Sequence, residues 1–318
     1  MATVSVTAER REAYQTADLN FATVGDYFAL LKPRVMSLVL FTGVAGLIIA
    51  PGTIHVATAF TALLAIAVGA GASGALNMAY DADIDCLMSR THLRPVPRGV
   101  IPAGQAAAFG TTMAIGSVTV MGLFVNLVAA ALLAFTIAFY VFVYTMWLKR
   151  LTPQNIVIGG LAGALPPAIG WASVTGGLAV APLILVGIIF LWTPPHFWAL
   201  SLYRVHDYAR ARIPMLPVVK GKDETRRQIL LYTVVLIISG VLPAVFGFAG
   251  PLYLAASVLI GAWFLVESVL VAFERDTVRE PHARRLFAVS ILYLFALFAA
   301  LIIEQTAGIA AFAPLVQG

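Results

Sequence analysis

The chain has 318 residues, of which 61% are hydrophobic and only 11% are charged. A soluble domain is roughly 45–50% apolar and about 25% charged, so this composition excludes a soluble globule, a disordered chain and a coiled coil. The single cysteine, Cys86, excludes a disulfide scaffold. The composition predicts a polytopic membrane protein, with a net charge of +5, that is surrounded by membrane lipid and binds no nucleic acid.

Nine segments are long and apolar enough to cross a membrane, for which a helix needs about 20 residues. In lipid, the backbone must satisfy its hydrogen bonds within the segment, so each segment is predicted to be helical. We predict an all-α fold in which nine transmembrane helices are bundled around a central cavity. Residues 1–27 would form a cytoplasmic polar segment and 28–318 a single transmembrane domain. The nine segments are 33–50, 57–80, 104–123, 126–147, 155–174, 180–203, 228–248, 251–273 and 286–306.

The basic residues predict how these helices are oriented. All 20 lysines and arginines lie before or at the start of the first segment, where Arg34 is its second residue, or follow the second, fourth, sixth or eighth. Basic residues are retained on the cytoplasmic side, so the N-terminus would be cytoplasmic and the C-terminus outside. The first 30 residues contain four acidic residues and lack a signal-peptide pattern. A bacterial cytoplasmic membrane is therefore the predicted location.

The second segment ends in three polar residues spaced by four, Asn77, Asp81 and Asp85. Residues four apart are neighbours on a helix surface, so the three would form one polar stripe. Two carboxylates this close at a membrane boundary remain ionised only if a cation compensates them. Oxygen ligands suit Mg²⁺, which typically binds one or two carboxylates together with substrate phosphates.

A basic run follows at once, with Arg90, Arg94 and Arg98 also spaced by four. Arginine binds phosphate oxygens through two parallel hydrogen bonds. Carboxylates for a metal beside arginines for phosphate predict a diphosphate site. Ordinary loop charge is an equally good interpretation of Arg98 and of Asp83, which points to the other side of the helix. It is a poorer one for the stripe, because aspartates within an apolar segment are costly and usually functional.

The sixth segment ends in a second group, Tyr203, Arg204, His206 and Asp207. Four helices separate it from the first group, so both reach the same face of the membrane, where the two loops could close over one site. Asp207 would act with the first aspartates, and Tyr203, Arg204 and His206 would contact substrate. The simpler alternative is that Asp207 forms a local ion pair with Arg204 or Arg210.

The stripe of Asn77, Asp81 and Asp85 resembles the first aspartate motif of the UbiA-type intramembrane prenyltransferases. Three longer strings are similar to the branch of that family that farnesylates heme: DIDCLMSRTHLRPVPRG, LTPQNIVIGGLAGALPPAIGWASVTG and HFWALSLYRVHDYARARIPMLPVV. The similarity covers roughly residues 25–305. The second motif departs from most of the superfamily, because Tyr203 stands where the first of two aspartates is usual. The metal ligands would then be asymmetric.

The resemblance implies that farnesyl diphosphate and heme b react to give heme O and pyrophosphate. It implies Mg²⁺ as cofactor, held by Asp81, Asp85 and Asp207, with Asn77 orienting the carboxylates. Leaving-group charge would be stabilised by Arg90, Arg94 and Lys149. The resemblance also implies partner proteins that act in heme A synthesis or in terminal oxidase assembly. The alternatives are a sibling enzyme that prenylates an aromatic quinone precursor and, from another class, a secondary transporter.

Two aromatic positions admit a substrate role and a packing role. His196 lies within the sixth segment beside Pro194 and Pro195, where it would contact heme or simply be a buried, hydrogen-bonded histidine. Tyr144 ends the fourth segment, where it would shield a cation with its ring or belong to an aromatic belt at the membrane interface.

Overall fold

Helices are the only regular structure in the computed structural model, which describes residues 22–276 and 278–314. In that part of the chain, eight helices are long and apolar enough to span a membrane. A ninth span is reached when the bent pair Val24–Leu30 and Pro33–Ile49 is counted as one. The predicted all-α class and the nine spans are therefore confirmed. Most of the predicted segment 1–27, and the end of the chain from residue 315, lie outside the described residues.

The observed bounds of the apolar segments agree closely with the predicted ones. The three clear differences are the first, seventh and ninth spans, which begin at Val24, Gly221 and Pro281. The first is longer because the short helix Val24–Leu30 is counted with it. Charged side chains at the starts of the other two are at least partly exposed or, like Arg226, paired with a buried carboxylate. They do not interrupt the backbone hydrogen bonds, so an apolar run underestimates the helix. The α-helices are α1 (Val24–Leu30), α2 (Pro33–Ile49), α3 (Val56–Tyr80), α4 (Ala82–Asp85), α5 (Ala103–Phe124), α6 (Leu127–Ala138), α7 (Asn155–Ala164), α8 (Pro166–Thr175), α9 (Val180–Tyr203), α10 (Val205–Arg210), α11 (Leu216–Val219), α12 (Gly221–Val245), α13 (Pro251–Ala272) and α14 (Pro281–Ala307).

The first span bends by 53° between α1 and α2. Pro33 begins α2 and has no N–H with which to continue α1. Lys32, the residue before it, adopts a left-handed conformation with φ of 53°. That conformation is costly for a residue with a Cβ atom, and it directs the chain so that α2 leaves α1 at an angle.

The spans close into a ring, because α14 packs against α2 and each neighbouring pair along the chain is also in contact. The tightest crossing joins the first and fifth spans. A Cβ atom on Gly46 would lie 2.0 Å from the carbonyl oxygen of Pro167, and one on Gly170 would lie 2.1 Å from that of Gly43. Small residues allow two membrane helices to approach this closely.

The fourth span changes its helix type before it ends. After α6 the chain forms a π-helix over Phe139–Trp147 and a 3₁₀ turn over Leu148–Arg150. π-Helical turns are rare and frequently occur at functional sites. The wider π-helix and the tighter 3₁₀ turn change the directions of the side chains that follow, at the end of the bundle where the second and sixth spans also end.

Candidate active site

Asn77, Asp81 and Asp85 form one buried line at the end of the second span. The backbone N–H of Asp81 donates to the carbonyl of Asn77 at 2.9 Å, and that of Asp85 donates to the carbonyl of Asp81 at 2.8 Å. The four-residue repeat therefore continues across the break between α3 and α4. The exposed fractions of the three residues are 4%, 0% and 2%, so all three need partners within the protein.

The side-chain amide of Asn77 connects three spans. Its Nδ2 donates to Oδ2 of Asp81 at 2.7 Å and to Oγ1 of Thr145 at 3.0 Å. Its Oδ1 accepts from Nζ of Lys32 at 2.6 Å. An amide is suited to this position because it donates and accepts at once, and the result is a fixed orientation for Asp81.

Asp81 is neutralised by cations from the end of the fourth span. Lys149 Nζ donates to its Oδ2, and Arg150 Nη2 lies 3.6 Å from its Oδ1. Oδ1 is buried and accepts no hydrogen bond. A buried carboxylate persists as an ion only when it is paired. Asp81 therefore has one saturated oxygen and one that can still accept a ligand.

Asp85 is paired with Arg94 of the basic run. Arg94 Nη1 donates to Oδ2 of Asp85 at 2.6 Å. The loop that carries Arg94 is held against the helix end by Thr91, whose Oγ1 donates to the carbonyl of Asp85 at 2.8 Å. The loop thus places Arg94 against the first aspartate motif, although this arginine lies nine residues after Asp85 in the chain.

Asp207 is buried at the start of the loop that follows the sixth span. Ser89 Oγ donates to its Oδ2 at 2.5 Å, and Arg210 Nη2 donates to its Oδ1 at 2.7 Å. Burial acts to raise the pKa of Asp207, but the hydrogen bonds from Ser89 and the charges of Arg204 and Arg210 outweigh it, so the pKa lies below its ordinary value. The carboxylate is ionised at neutral pH.

Ser89 joins the two aspartate motifs. It lies four residues after Asp85 and, besides donating to Asp207, accepts from Arg204 Nη1 at 3.2 Å. The loops after the second and sixth spans therefore meet at this side chain. We call the three groups of side chains around Asp81, Asp85 and Asp207 together the aspartate layer: Lys32, Asn77, Asp81, Asp85, Ser89, Arg94, Thr145, Lys149, Arg150, Arg204, Asp207 and Arg210.

Four members of the aspartate layer were not predicted as site residues from the sequence: Lys32, Ser89, Thr145 and Arg150. Thr145 gives a weak signal, as a polar residue in an apolar segment, and Lys32 and Arg150 adjoin predicted spans. Nothing in the sequence distinguishes Ser89 from other loop serines. Thr145, Lys149 and Arg150 reach the site because the π-helix and the 3₁₀ turn place them there.

Arg90 and Arg98 form no hydrogen bond with the aspartate layer among the described residues, and Asp83 contacts it only through Arg150, from the exposed side. Asp83 is exposed and receives two hydrogen bonds of 2.7 Å from Arg150, and the hydrogen bonds from Arg150 lower its pKa. Arg98 is exposed and interacts electrostatically with the carboxylate of Asp26, near the start of α1. Arg90 is exposed, and its charge partly offsets the rise in the pKa of Tyr208 that burial causes.

His196 lies in a stack of rings inside the bundle. Trp192 covers one face, with ring centroids 4.2 Å apart, and Phe287 stacks with the imidazole at 4.5 Å. Nδ1 of His196 and Oγ of Ser290 are 2.6 Å apart and share a hydrogen bond. These contacts give His196 a packing role, and they leave Nε2 as the ring nitrogen for any contact with substrate.

The remaining predicted contacts are placed at the periphery or in the core. His206 is exposed beside Asp207. The ring of Tyr203 is half-buried beneath Arg284, whose Cζ lies 4.5 Å from the ring centroid. Tyr144 packs among core residues. A Cβ atom on Gly159 would lie 2.1 Å from the ring of Tyr144, so the glycine provides the space for that ring.

The carboxylates of the aspartate layer suit a hard divalent cation, although a complete ligand set is not assembled. Among the described residues, no three His, Cys, Asp or Glu side chains are grouped closely enough to hold a metal. The free Oδ1 of Asp81 is an oxygen donor of the kind that Mg²⁺ binds, and Mg²⁺ commonly takes its other ligands from substrate phosphates and water. The residues therefore fit a metal that arrives with a diphosphate.

Comparison with known proteins agrees with this geometry. The model of the UbiA prenyltransferase family matches residues 39–292. The chain is 58% identical over 285 residues to a protoheme IX farnesyltransferase of Parvibaculum lavamentivorans, covering 89% of this chain and 90% of that protein. It is 59% identical over 296 residues to one of Nitrobacter hamburgensis, covering 93% and 94%.

Two solved structures share the fold at low sequence identity. A structure of a digeranylgeranylglyceryl phosphate synthase superposes with a TM-score of 0.74 at 17% identity, covering 89% of this chain and 99% of that one. A UbiA homolog from Archaeoglobus fulgidus, bound to DMAPP and Mg²⁺, superposes with a TM-score of 0.65 at 17% identity, covering 87% and 99%. These comparisons confirm the resemblance that the aspartate motif indicates. The chain is an integral membrane enzyme that belongs to the UbiA prenyltransferase family.

Proposed function

We propose that this chain transfers the farnesyl group of farnesyl diphosphate to a vinyl group of heme b, with addition of water, to give heme O and pyrophosphate. The similarity to protoheme IX farnesyltransferases, at 58–59% identity over most of both chains, supports this reaction. The observation that carries it is the aspartate layer, in which three buried carboxylates and their cations meet at the end of the bundle.

The cations of the aspartate layer suit the departure of a diphosphate. As the allylic C–O bond breaks, negative charge develops on the leaving oxygens, and preorganised cations stabilise that charge most effectively in a water-poor site. Lys149 and Arg94 already lie against Asp81 and Asp85, with Arg90 exposed nearby. When substrate binds, their N–H groups turn to the phosphate oxygens.

Mg²⁺ is the proposed cofactor, and Asp81, Asp85 and Asp207 are its proposed ligands. The free oxygen of Asp81 supports this choice, as does the UbiA homolog that was solved with DMAPP and Mg²⁺. When bound, the metal neutralises charge on the leaving group. Asn77 keeps Asp81 in one orientation, and Ser89 holds Asp207 beside the first motif.

In this proposal, the acceptor heme b binds next to the sixth span, which carries His196. The carbocation that follows C–O cleavage needs apolar walls, which the bundle supplies, until the vinyl carbon of heme forms the new C–C bond. Water then adds a hydroxyl group to the carbon that is left positive, and a proton is released. His196 would contact heme through Nε2, and Tyr144, Tyr203, Arg204 and His206 would line the two substrates.

The protein is proposed to reside in the bacterial cytoplasmic membrane, with its N-terminus in the cytoplasm and its C-terminus outside. The restriction of lysine and arginine to one set of loops supports this orientation. A reporter fused after Gln317 should be detected outside, and one inserted within residues 210–225, between α10 and α11, should be detected inside. A cytoplasmic reporter after Gln317 would contradict the arrangement.

The reaction is tested by the pigment that the protein produces. Heme extracted from membranes that contain the chain should include a species heavier than heme b by one farnesyl group and one hydroxyl group, and membranes without the chain should lack it. An Asp81→Asn variant is the matched control. Prenylated quinone precursor without modified heme would instead assign the chain to the sibling reaction.

A further inference from the structure

A groove of about 370 Å³ lies between α13 and α14, on a part of the bundle that the proposed reaction does not use. Its walls are mostly apolar, and its polar contributions come from two charged residues. It is lined by Trp263, Glu267, Arg285, Ala288, Val289 and Leu292. Charged side chains within or beside a spanning segment are costly unless they bind something.

Glu267 is the less expected of the two. It lies inside the eighth span, and its side chain is only 9% exposed. Its Oε2 is buried and accepts no hydrogen bond. The nearest basic group is His282, whose Nδ1 lies 3.8 Å from that oxygen and is itself buried without a hydrogen-bond partner. The contact with His282 is too long for a hydrogen bond, and the other oxygen, Oε1, accepts none from the described residues either. A nearly buried carboxylate without a hydrogen bond is expensive, which points to a donor that reaches Oε1 from the groove.

Arg285 provides the opposite charge at the same level. It is exposed and forms no ion pair with any residue in the described ranges. At 1.5 Å per residue, Arg285 and Glu267 each lie about 6–8 Å from the end of their helix, and Trp263 and Leu292 lie about 14–17 Å from it. The groove is therefore charged near the membrane surface and apolar towards the membrane interior.

We propose that this groove binds a zwitterionic phospholipid with a primary ammonium headgroup, of the phosphatidylethanolamine class. The ammonium donates to Glu267, the phosphate pairs with Arg285, and an acyl chain lies along Trp263 and Leu292. Charge complementarity selects this occupant. An anionic headgroup would leave Glu267 unpaired, and a quaternary ammonium carries no N–H to donate.

The test measures lipid bound to the purified, delipidated full chain by native mass spectrometry. Phosphatidylethanolamine, phosphatidylcholine and phosphatidylglycerol with identical acyl chains are titrated separately. A hydrogen bond to a charged group predicts that the ethanolamine lipid binds about 10-fold more tightly than the choline lipid. Equal binding of those two lipids, or tighter binding of phosphatidylglycerol, would overturn the proposal.

Variants assign the preference to the groove. Glu267→Gln should reduce binding of the ethanolamine lipid to the level of the choline lipid, and Arg285→Gln should weaken both. Arg275→Gln, an exposed arginine in the preceding loop, is the matched control and should bind as the wild type does. A preference that survives Glu267→Gln places the lipid elsewhere. Should Glu267→Gln not fold, the wild-type comparison and Arg285→Gln still decide the matter.

Discussion

Two buried clusters of charge lie at the same end of the bundle and differ in how completely their carboxylates are satisfied. One is the aspartate layer. The other, the Glu280 cluster, consists of Lys222, Arg226 and Glu280 and joins the start of α12 to the loop before α14. Glu280 is 0% exposed. Arg226 Nη2 lies 2.8 Å and 2.9 Å from its two oxygens, and Lys222 Nζ lies 3.0 Å from Oε1.

The carboxylate of Glu280 has both oxygens hydrogen-bonded, whereas that of Asp81 does not. Both oxygens of Glu280 accept charged hydrogen bonds from one neighbouring helix, and this closed pairing is suited to holding a loop in place. Asp81 is equally buried, but its Oδ1 accepts no hydrogen bond, and its partners come from separate spans. The open oxygen of Asp81 leaves that carboxylate able to accept a ligand, whereas the carboxylate of Glu280 is already fully bonded and has a structural role. Four measurements test this distinction.

Asp81→Asn should have the largest effect. The change keeps the size of the side chain but removes the charge that a metal and the neighbouring cations need, a loss of several kcal/mol in the transition state. Turnover to farnesylated heme should fall by about 1000-fold or more, while the protein still inserts and folds. Asp83→Asn, two residues away and exposed, is the control and should retain most of the activity. Near-normal turnover by Asp81→Asn would remove Asp81 from the active site.

Glu280→Gln should act on stability instead of turnover. Breaking a buried ion pair leaves Arg226 uncompensated and costs about 3 kcal/mol, so the thermal unfolding temperature in detergent should drop. The kcat of the protein that remains folded should match the wild type, because no residue of the Glu280 cluster belongs to the aspartate layer or is assigned a substrate contact. If Glu280→Gln lost turnover while its unfolding temperature stayed unchanged, Glu280 would act on the reaction as Asp81 does. The distinction between the two clusters would then be wrong.

Ser89→Ala should produce an intermediate effect that depends on pH. Removing a hydrogen bond to a charged group costs about 1.5–3 kcal/mol, so kcat/KM for farnesyl diphosphate should fall by about 10-fold or more. Because Ser89 lowers the pKa of Asp207, the variant should have a higher pKa at that carboxyl.

The sign of that pH effect follows from ionisation. Asp207 works as a carboxylate, so activity is present above its pKa and lost as the pH falls through it. The acidic limb of the pH profile should therefore move to higher pH in Ser89→Ala. Ser201→Ala, at a buried serine bonded within its own helix, is the control and should leave the limb in place. If the acidic limb does not move in Ser89→Ala, the hydrogen bond from Ser89 does not control the ionisation of Asp207.

His196→Phe should produce the smallest change. A phenyl ring preserves the stack with Trp192 and Phe287 but removes the nitrogen that the proposed heme contact needs. The KM for heme should rise about threefold while the KM for farnesyl diphosphate stays constant, since only one substrate loses a contact. Steady-state kinetics with each substrate varied in turn provide the measurement. Unchanged constants for both substrates would leave His196 with its packing role alone.

The physics of the bilayer explains why the fold could be predicted from so few features. Lipid satisfies no backbone hydrogen bond, so each apolar segment has to be a helix, and the observed bounds follow the predicted segments except where charged residues extend α12 and α14. The spacing of Asn77, Asp81 and Asp85 is equally local, because one helical turn brings residues four apart together. The family resemblance rests on the same local strings.

The partners of those carboxylates could not be predicted in the same way. Lys32 is 45 residues from Asn77, Lys149 is 68 from Asp81, and Ser89 is 118 from Asp207. No spacing rule relates residues that far apart. Their meeting depends on the closed ring of spans, on the left-handed turn at Lys32 and on the π-helix Phe139–Trp147, none of which an apolar pattern indicates.

The sequence by itself therefore determined the class of protein, the number and approximate ends of its spans and the position of its first carboxylates, because each of these depends on solvent and on single-helix geometry. The local ion pairs of Asp207 with Arg204 and Arg210 were among the alternatives from the sequence. Only the tertiary structure decided which cations meet Asp81 and Asp85, that Asp81 keeps one oxygen without a hydrogen bond and that Ser89 joins the two motifs. Those features arise from packing between spans, where a shift of one turn would pair every charge differently.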